Sequence, residues 1–217
     1  MSWPSSADEF AQLSWRWFKF EWLNCLSFSP SDACELELDT NTTSRKLKLS
    51  DNRKVTHEEE YQSYPDHPDR FEVWPQLLCR NGLTGRYYWE VEWRGRVYIS
   101  VTYKGIKRRG DKEDCVFGRN NQSWSLYCSD DCGYSVWHNK TGTSPPSSSS
   151  SPSSSSSSSS SVSNRVAVYV DCPAGTLSFY KVPSDTLIHL HTFNTTFTQP
   201  LYAGFAVWSG SMSLCPL

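Results

Sequence analysis

The 217-residue chain lacks a basic excess: 21 Lys and Arg stand against 23 Asp and Glu, a net charge of -2. A nucleic-acid grip normally needs a basic face, so no nucleic-acid partner is expected. No run approaches about 18 uncharged apolar residues, so no spanning helix and no membrane partner are expected. Met1 to Glu9 holds two acids and no basic residue, which does not read as a secretory signal. The nucleophile elbow, the phosphate-binding loop and the dinucleotide fingerprint are all missing. The five His (57, 67, 138, 189 and 191) are scattered, with no nucleophile at a family-like spacing. No catalysis and no cofactor are expected.

The eight cysteines lack a regular spacing. Several sit in apolar runs, as Cys79 and Cys115 do, where a free thiol behaves as a small hydrophobe. A reducing, cytoplasmic compartment is expected. Four N-x-S/T sequons, at Asn41, Asn121, Asn139 and Asn194, would matter only on the secretory route. Cys128, Cys132 and His138 hint at zinc, but a fourth ligand is missing and C-x3-C alone is weak, so no metal is expected. His189 and His191 fall on one strand face by alternation.

What the chain has is aromatic residues: ten Trp, eleven Tyr and ten Phe. Flat rings pack well on pleated surfaces, which suits a sheet-rich core. Residues 1–32 form an aromatic leader. Ser6 and Glu9 make a capping box, and Phe10, Leu13, Trp17 and Phe20 follow at helical spacing, so a short N-terminal helix is expected. Trp15, Phe18 and Trp22 make a second stripe.

From Glu35 the texture becomes period-two runs: LELD, KLKLS, RYYWEVEW, VYISVTY, SWSLY, YSVWH, RVAVYVD, TLSFYKV, LHTF and LYAGFAVW. Turn signals separate them, among them DNRK after KLKLS and R-G-R between RYYWEVEW and VYISVTY. No twelve-residue helical pattern intervenes. The fold class is therefore all-β, an antiparallel sandwich. VYVDCPAGTLSFYKV reads as a hairpin: Val166, Val168 and Val170 face inward, as do Leu177 and Phe179. Pro173 and Gly175 make the turn, and Asp171 accepts its backbone N–H. A serine-rich insertion, 143–163, has almost no apolar residue and cannot repay the entropy of ordering.

Six segments together are familiar. LELDTNTTSRKLKLSDNRKV resembles a PRY segment. RFEVWPQLLCRNGLTGRYYWEVEW is similar to the passage from PRY into SPRY, and VFGRNNQSWSLYC, VYVDCPAGTLSFYKV, FTQPLYAGFAVWSG and LCPL complete the set in order. By resemblance the chain is a PRY-SPRY protein over 33–217, with PRY at about 33–80 and SPRY at about 81–217. It looks most like the C-terminal modules of fish NOD-like receptors and tripartite-motif proteins, and more distantly like those of stonefish-type pore-forming toxins. The resemblance implies a bent, concanavalin-like sandwich. It also implies a non-catalytic module that binds a protein ligand through variable loops, in innate immune sensing. The alternative is the C-terminal module of a secreted toxin. Carried onto this chain, the loops are Arg53 to Arg70, Lys104 to Asp114, Tyr127 to Trp137, and the segment near Trp208. Their candidate contacts are Tyr61, Tyr64, Asp66, Lys107, Arg108, Arg109, Tyr127, Tyr134 and Trp208, since interface energy concentrates in aromatic and Arg residues.

Overall fold

A computed structural model describes residues 29–145, 164–183 and 186–216. The leader helix, the body of the serine insertion and Cys25 lie outside the described residues. Eleven strands form one antiparallel sheet: β1 (Leu47–Ser50), β2 (Lys54–His57), β3 (Gln76–Leu78), β4 (Arg86–Tyr103), β5 (Ser123–Ser129), β6 (Gly133–His138), β7 (Thr141–Thr143), β8 (Arg165–Asp171), β9 (Thr176–Lys181), β10 (Ile188–Asn194) and β11 (Leu201–Leu214). Two short 3-10 turns, Pro30–Asp32 and Glu113–Cys115, are the only helical pieces among the described residues. No helix there is long and apolar enough to cross a membrane.

The sheet is bent because its two longest strands change partners midway. Residues 86–92 of β4 pair with β8, and residues 96–102 pair with β5. Strand β11 runs along the other edge of β4 from Val91 to Tyr103, and also holds β2 and β3. One branch is therefore β10-β9-β8-β4-β11-β2-β1, and the other is β3-β11-β4-β5-β6-β7. Inward residues of both branches meet in a single core: Trp89, Val91, Val168 and Phe179 from the first, Ile99, Val101, Leu126 and Val136 from the second.

The change of branch falls at Gly95 and Gly210, which face each other in the ladder. Both have positive φ, +83° and +77°. A Cβ on either would strike the opposing backbone, at Ser209 O or Arg94 O. Only glycine serves there. The expected break at R-G-R is therefore a bend within one eighteen-residue strand, because the β11 ladder carries the pairing across it.

Several expectations hold. Val166, Val168, Val170, Leu177 and Phe179 are fully buried, and the β8–β9 hairpin closes with Gly175 at φ +71° and Asp171 Oδ1 accepting from Ala174 N at 2.9 Å. Asp51 and Asn52, both at positive φ, make the β1–β2 turn. LELD does not become a strand. Leu38 makes one isolated bridge to Cys79, and the Thr42 and Thr43 hydroxyls then take Asp39 O into a turn. His189 and His191 do not simply alternate, since a bulge falls between them.

The seven cysteines within the described residues are free thiols. Cys128 lies in the core, Cys132 is exposed in the β5–β6 turn, and His138 pairs with Trp124 at the far end of that hairpin. The hairpin thus spreads the three along its length. No group of three or more His, Cys, Asp or Glu suited to a metal occurs among the described residues.

Candidate protein-binding surface

The outer face of the second branch carries a strip of aromatic rings, and its key member lies at a bulge. In β11, Val207 pairs with Val97 and Ser209 with Arg96, so Trp208 is the extra residue between them. Inward positions are Leu201, Ala203, Phe205 and Val207 before the bulge, and Met212 and Leu214 after it. Alternation from Val207 faces Trp208 outward, and the bulge at Trp208 moves the inward parity from odd to even positions, keeping Met212 and Leu214 in the core. Its side chain is 39% exposed, one of three large exposed hydrophobics among the described residues.

Trp208 is held by its neighbours. Its ring lies 5.3 Å from Trp74 and 6.4 Å from Tyr98. Tyr98 in turn lies 4.7 Å from Tyr127. These spacings are those of interacting aromatic pairs. Tyr98 is mostly buried, and desolvation raises the pKa of its phenol. The half-buried Trp74 and Tyr127 flank it. Beside the strip, the Arg119 guanidinium sits 3.8 Å over the Trp137 ring, whose Nε1 donates to Ser135 Oγ. Arg96 and Asp131 form an exposed pair at 3.0 Å on the β4 and β6 side. The other half of this outer face is covered by Phe71, Ile106 and Phe117, which form a second small core with Leu78 and Ala206.

A cleft of about 390 Å³ adjoins the strip through the Arg70–Trp74 segment. Tyr61, Asp66 and Arg109 line it with Arg45, His67 and Glu72. Tyr61 is 68% exposed. Arg45 pairs with Asp66 at 2.7 Å and also donates to Tyr64 O.

The structure therefore sorts the nine candidates. Tyr127 and Trp208 share the strip, and Tyr61, Asp66 and Arg109 share the cleft. Lys107 is exposed and pairs with Asp114 within its own loop. The other three are tied into the fold. Tyr64 donates from its hydroxyl to Leu47 O and accepts there from Leu49 N, closing the free edge of β1. Arg108 lies over the Phe71 ring at 4.6 Å and donates to Ile106 O and Lys104 O, and burial lowers its pKa. Tyr134 is 8% exposed and packs edge-on against Trp93 in the main core.

Trp74, Tyr98 and Arg119 join the surface although sequence reasoning did not single them out. For Tyr98 a signal exists: it alternates with Val97 and Ile99, so it is an aromatic on the outward side of a strand. An outward aromatic is an interface residue type.

Comparison with known proteins places this geometry. A model of the PRY, or SPRY-associated, domain matches residues 36–83, and a model of the SPRY domain matches residues 86–215. The chain belongs to the PRY-SPRY family. Its modules serve generally in protein interaction and not in catalysis. Neoverrucotoxin subunit beta of Synanceia verrucosa is 38% identical over 174 residues, 80% of this chain and 23% of the toxin subunit. Tripartite motif-containing protein 16 of Mus musculus is 37% identical over 177 residues, 80% of this chain and 29% of that protein. A stonustoxin structure superposes with a TM-score of 0.74 at 35% identity, over 85% of this chain and 29% of the other. The crystal structure of a TRIM65 PSpry domain superposes over 100% of both chains with a TM-score of 0.71; at 24% identity that likeness speaks for the fold alone. The chain spans about a quarter of the length of the toxin subunits it matches.

Proposed function

We propose that this chain is a recognition module that binds a protein partner through the aromatic strip and the adjoining cleft, with no catalysis or cofactor of its own. The observation that carries the reading is Trp208, exposed on the outer face at a bulge and held against Trp74 and Tyr98. A large rigid ring held in place before binding loses little entropy on docking. Arg109 and Tyr61 supply the second anchor type, beside the Arg45–Asp66 pair. The resemblance to NOD-like receptors and tripartite-motif proteins supports a role in cytoplasmic innate immune sensing. The test is a partner captured by pull-down and titrated by calorimetry. Trp208→Ala and Arg109→Ala should each weaken binding about fivefold or more, worth about 1 kcal/mol, while the melting temperature holds. Normal binding by both variants would reject this surface.

The identity to neoverrucotoxin and stonustoxin subunits supports a second reading, the C-terminal module of a secreted toxin. The sequon residues Asn41, Asn121, Asn139 and Asn194 are all exposed, so luminal passage would leave glycans. A mass shift on endoglycosidase treatment of protein from its native tissue favours the toxin reading. Unmodified protein in the cytosolic fraction favours the sensor.

A further inference from the structure

We propose that Tyr61 is an acceptor site for a protein tyrosine kinase, and that Arg109 across the cleft receives the phosphate. All eleven tyrosines of the chain lie within the described residues, and Tyr61 alone is exposed. Of the other ten, nine stand in strands, where the backbone is committed to the sheet. The tenth, Tyr64, spends its hydroxyl on Leu47 O and Leu49 N. A kinase must bring the phenol oxygen to ATP and to its own catalytic carboxylate, so it needs a ring that stands free of the fold.

The loop presents Tyr61 through its own hydrogen bonds. Glu58 N donates to Lys46 O at 2.9 Å, and Gln62 N donates to Arg45 O at 2.8 Å. Between these two pins, the N–H groups of Glu59, Glu60 and Tyr61 find no backbone acceptor among the described residues. This short arc stands off the chain that enters β1, and a kinase can take it without breaking the sheet. Three carboxylates, Glu58, Glu59 and Glu60, come directly before the acceptor. They suit a positively charged substrate groove, and such complementarity sets encounter and register. The step breaks the bond from the γ-phosphorus of ATP to the β–γ bridging oxygen and forms one to Tyr61 Oη. ADP leaves with the electron pair, and the phenol proton passes to the kinase carboxylate. In the cell, the need for ATP ties the event to the cytoplasmic reading.

The charges of the cleft single out Arg109 as the receiver. Arg45, Arg70, Arg109, Asp66 and Glu72 line it with Tyr61. Arg45 and Asp66 hold each other at 2.7 Å. Arg70 donates to Thr40 O at 3.0 Å and also to Thr43 O and Pro65 O. Glu72 accepts from Gly110 N at 3.4 Å. Arg109 is exposed and pairs with no carboxylate among the described residues. A phosphate on Tyr61 brings about 1.5 to 2 negative charges and three strong acceptor oxygens. The planar guanidinium fork of Arg109 matches it. The pair would tie the Arg53 to Arg70 loop to the Lys104 to Asp114 loop. Both residues would then be withdrawn from a partner docking in the cleft; that consequence rests on the function proposed above, and the acceptor site does not.

The test incubates the folded full chain with magnesium ATP and the catalytic domain of a non-receptor tyrosine kinase, beside a synthetic peptide of residues 55–67. Mass spectrometry should find one phosphate per chain, at Tyr61, and Tyr61→Phe should lose it. Phosphate mainly on another tyrosine overturns the proposal. So does a peptide that is modified while the folded chain is not, or the failure of both. The second measurement is a phosphorus NMR titration of the modified chain. Arg109 should hold the second ionisation of the phosphate about 0.3 pH unit or more below its position in Arg109→Ala. Equal positions would overturn the role of Arg109 as receiver. Neither measurement uses a partner, so their failure is distinct from a failure of the Trp208 strip to bind one.

Discussion

Gly210→Ala tests the bend that joins the two branches. Two costs are involved. The first is conformational: at φ +77° a residue with a Cβ sits in the left-handed region, at about 1–2 kcal/mol. The second is steric. The added Cβ would meet Arg94 O inside contact distance, with Arg94 C at 2.9 Å and Gly95 Cα at 3.2 Å. The obstacle is backbone within a paired ladder, so no side-chain rotation relieves it. Forcing extra volume into such a place costs about 1–3 kcal/mol. The sum is about 2–5 kcal/mol against a whole-domain stability of about 5–15. For a domain of about 150–250 residues this is a fall of about 4–20 °C in melting temperature. Gly133→Ala separates the two costs. Gly133 has a similar φ, +72°, but nothing stands within 4 Å of its Cβ position. It should show the conformational cost alone, a fall of about 2–8 °C. Both variants would be followed by calorimetry and chemical denaturation. Equal losses for the two, or a Gly210→Ala melting point within about 2 °C of the parent, would refute the steric account of the bend.

Two further outcomes are expected. Phe179→Ala should cost about 3–5 kcal/mol by urea unfolding, because the ring is fully buried in the main core; a loss below about 1 kcal/mol would contradict the β8–β9 register. Burial, and after it the neighbouring His189, lowers the pKa of His191. The folded state then binds fewer protons than the unfolded one, so stability from this group is present above about pH 6.5 and declines as pH falls through the folded value. His191→Gln should flatten that part of the stability–pH curve, and an unaltered slope would show that His191 does not set it.

The parts of the fold that were legible in the sequence are those governed by period two. Trp89, Val91 and Trp93, like Val97, Ile99 and Val101, take the inward positions that alternation assigns, and Gly175 takes the turn position assigned to it. What alternation cannot show is pairing. Whether R-G-R ends a strand or bends it depends on Gly210, some 115 positions away, lying opposite Gly95. The length of β4 is thus decided by a partner and not by its own residues.

The surface residues divide on the same ground. Trp208 was legible as an exposed aromatic, and the change of inward parity from Phe205 and Val207 to Met212 and Leu214 is itself the mark of a bulge. Tyr64 and Arg108 have the residue types of an interface, yet they act within the fold. Their partners are the β1 backbone and the Lys104–Ile106 turn, and a one-dimensional reading does not bring these together. A hydroxyl that closes a free strand edge removes a site for unwanted pairing, and a guanidinium that bonds two carbonyls of its own loop holds that loop in shape. Both are reasons for such residues to sit near a binding surface without touching a ligand. The residues free to touch one are those whose polar or aromatic groups remain outward after the fold's own demands are met. On the described surface these are Trp208 on the strip, and Tyr61 and Arg109 at the cleft.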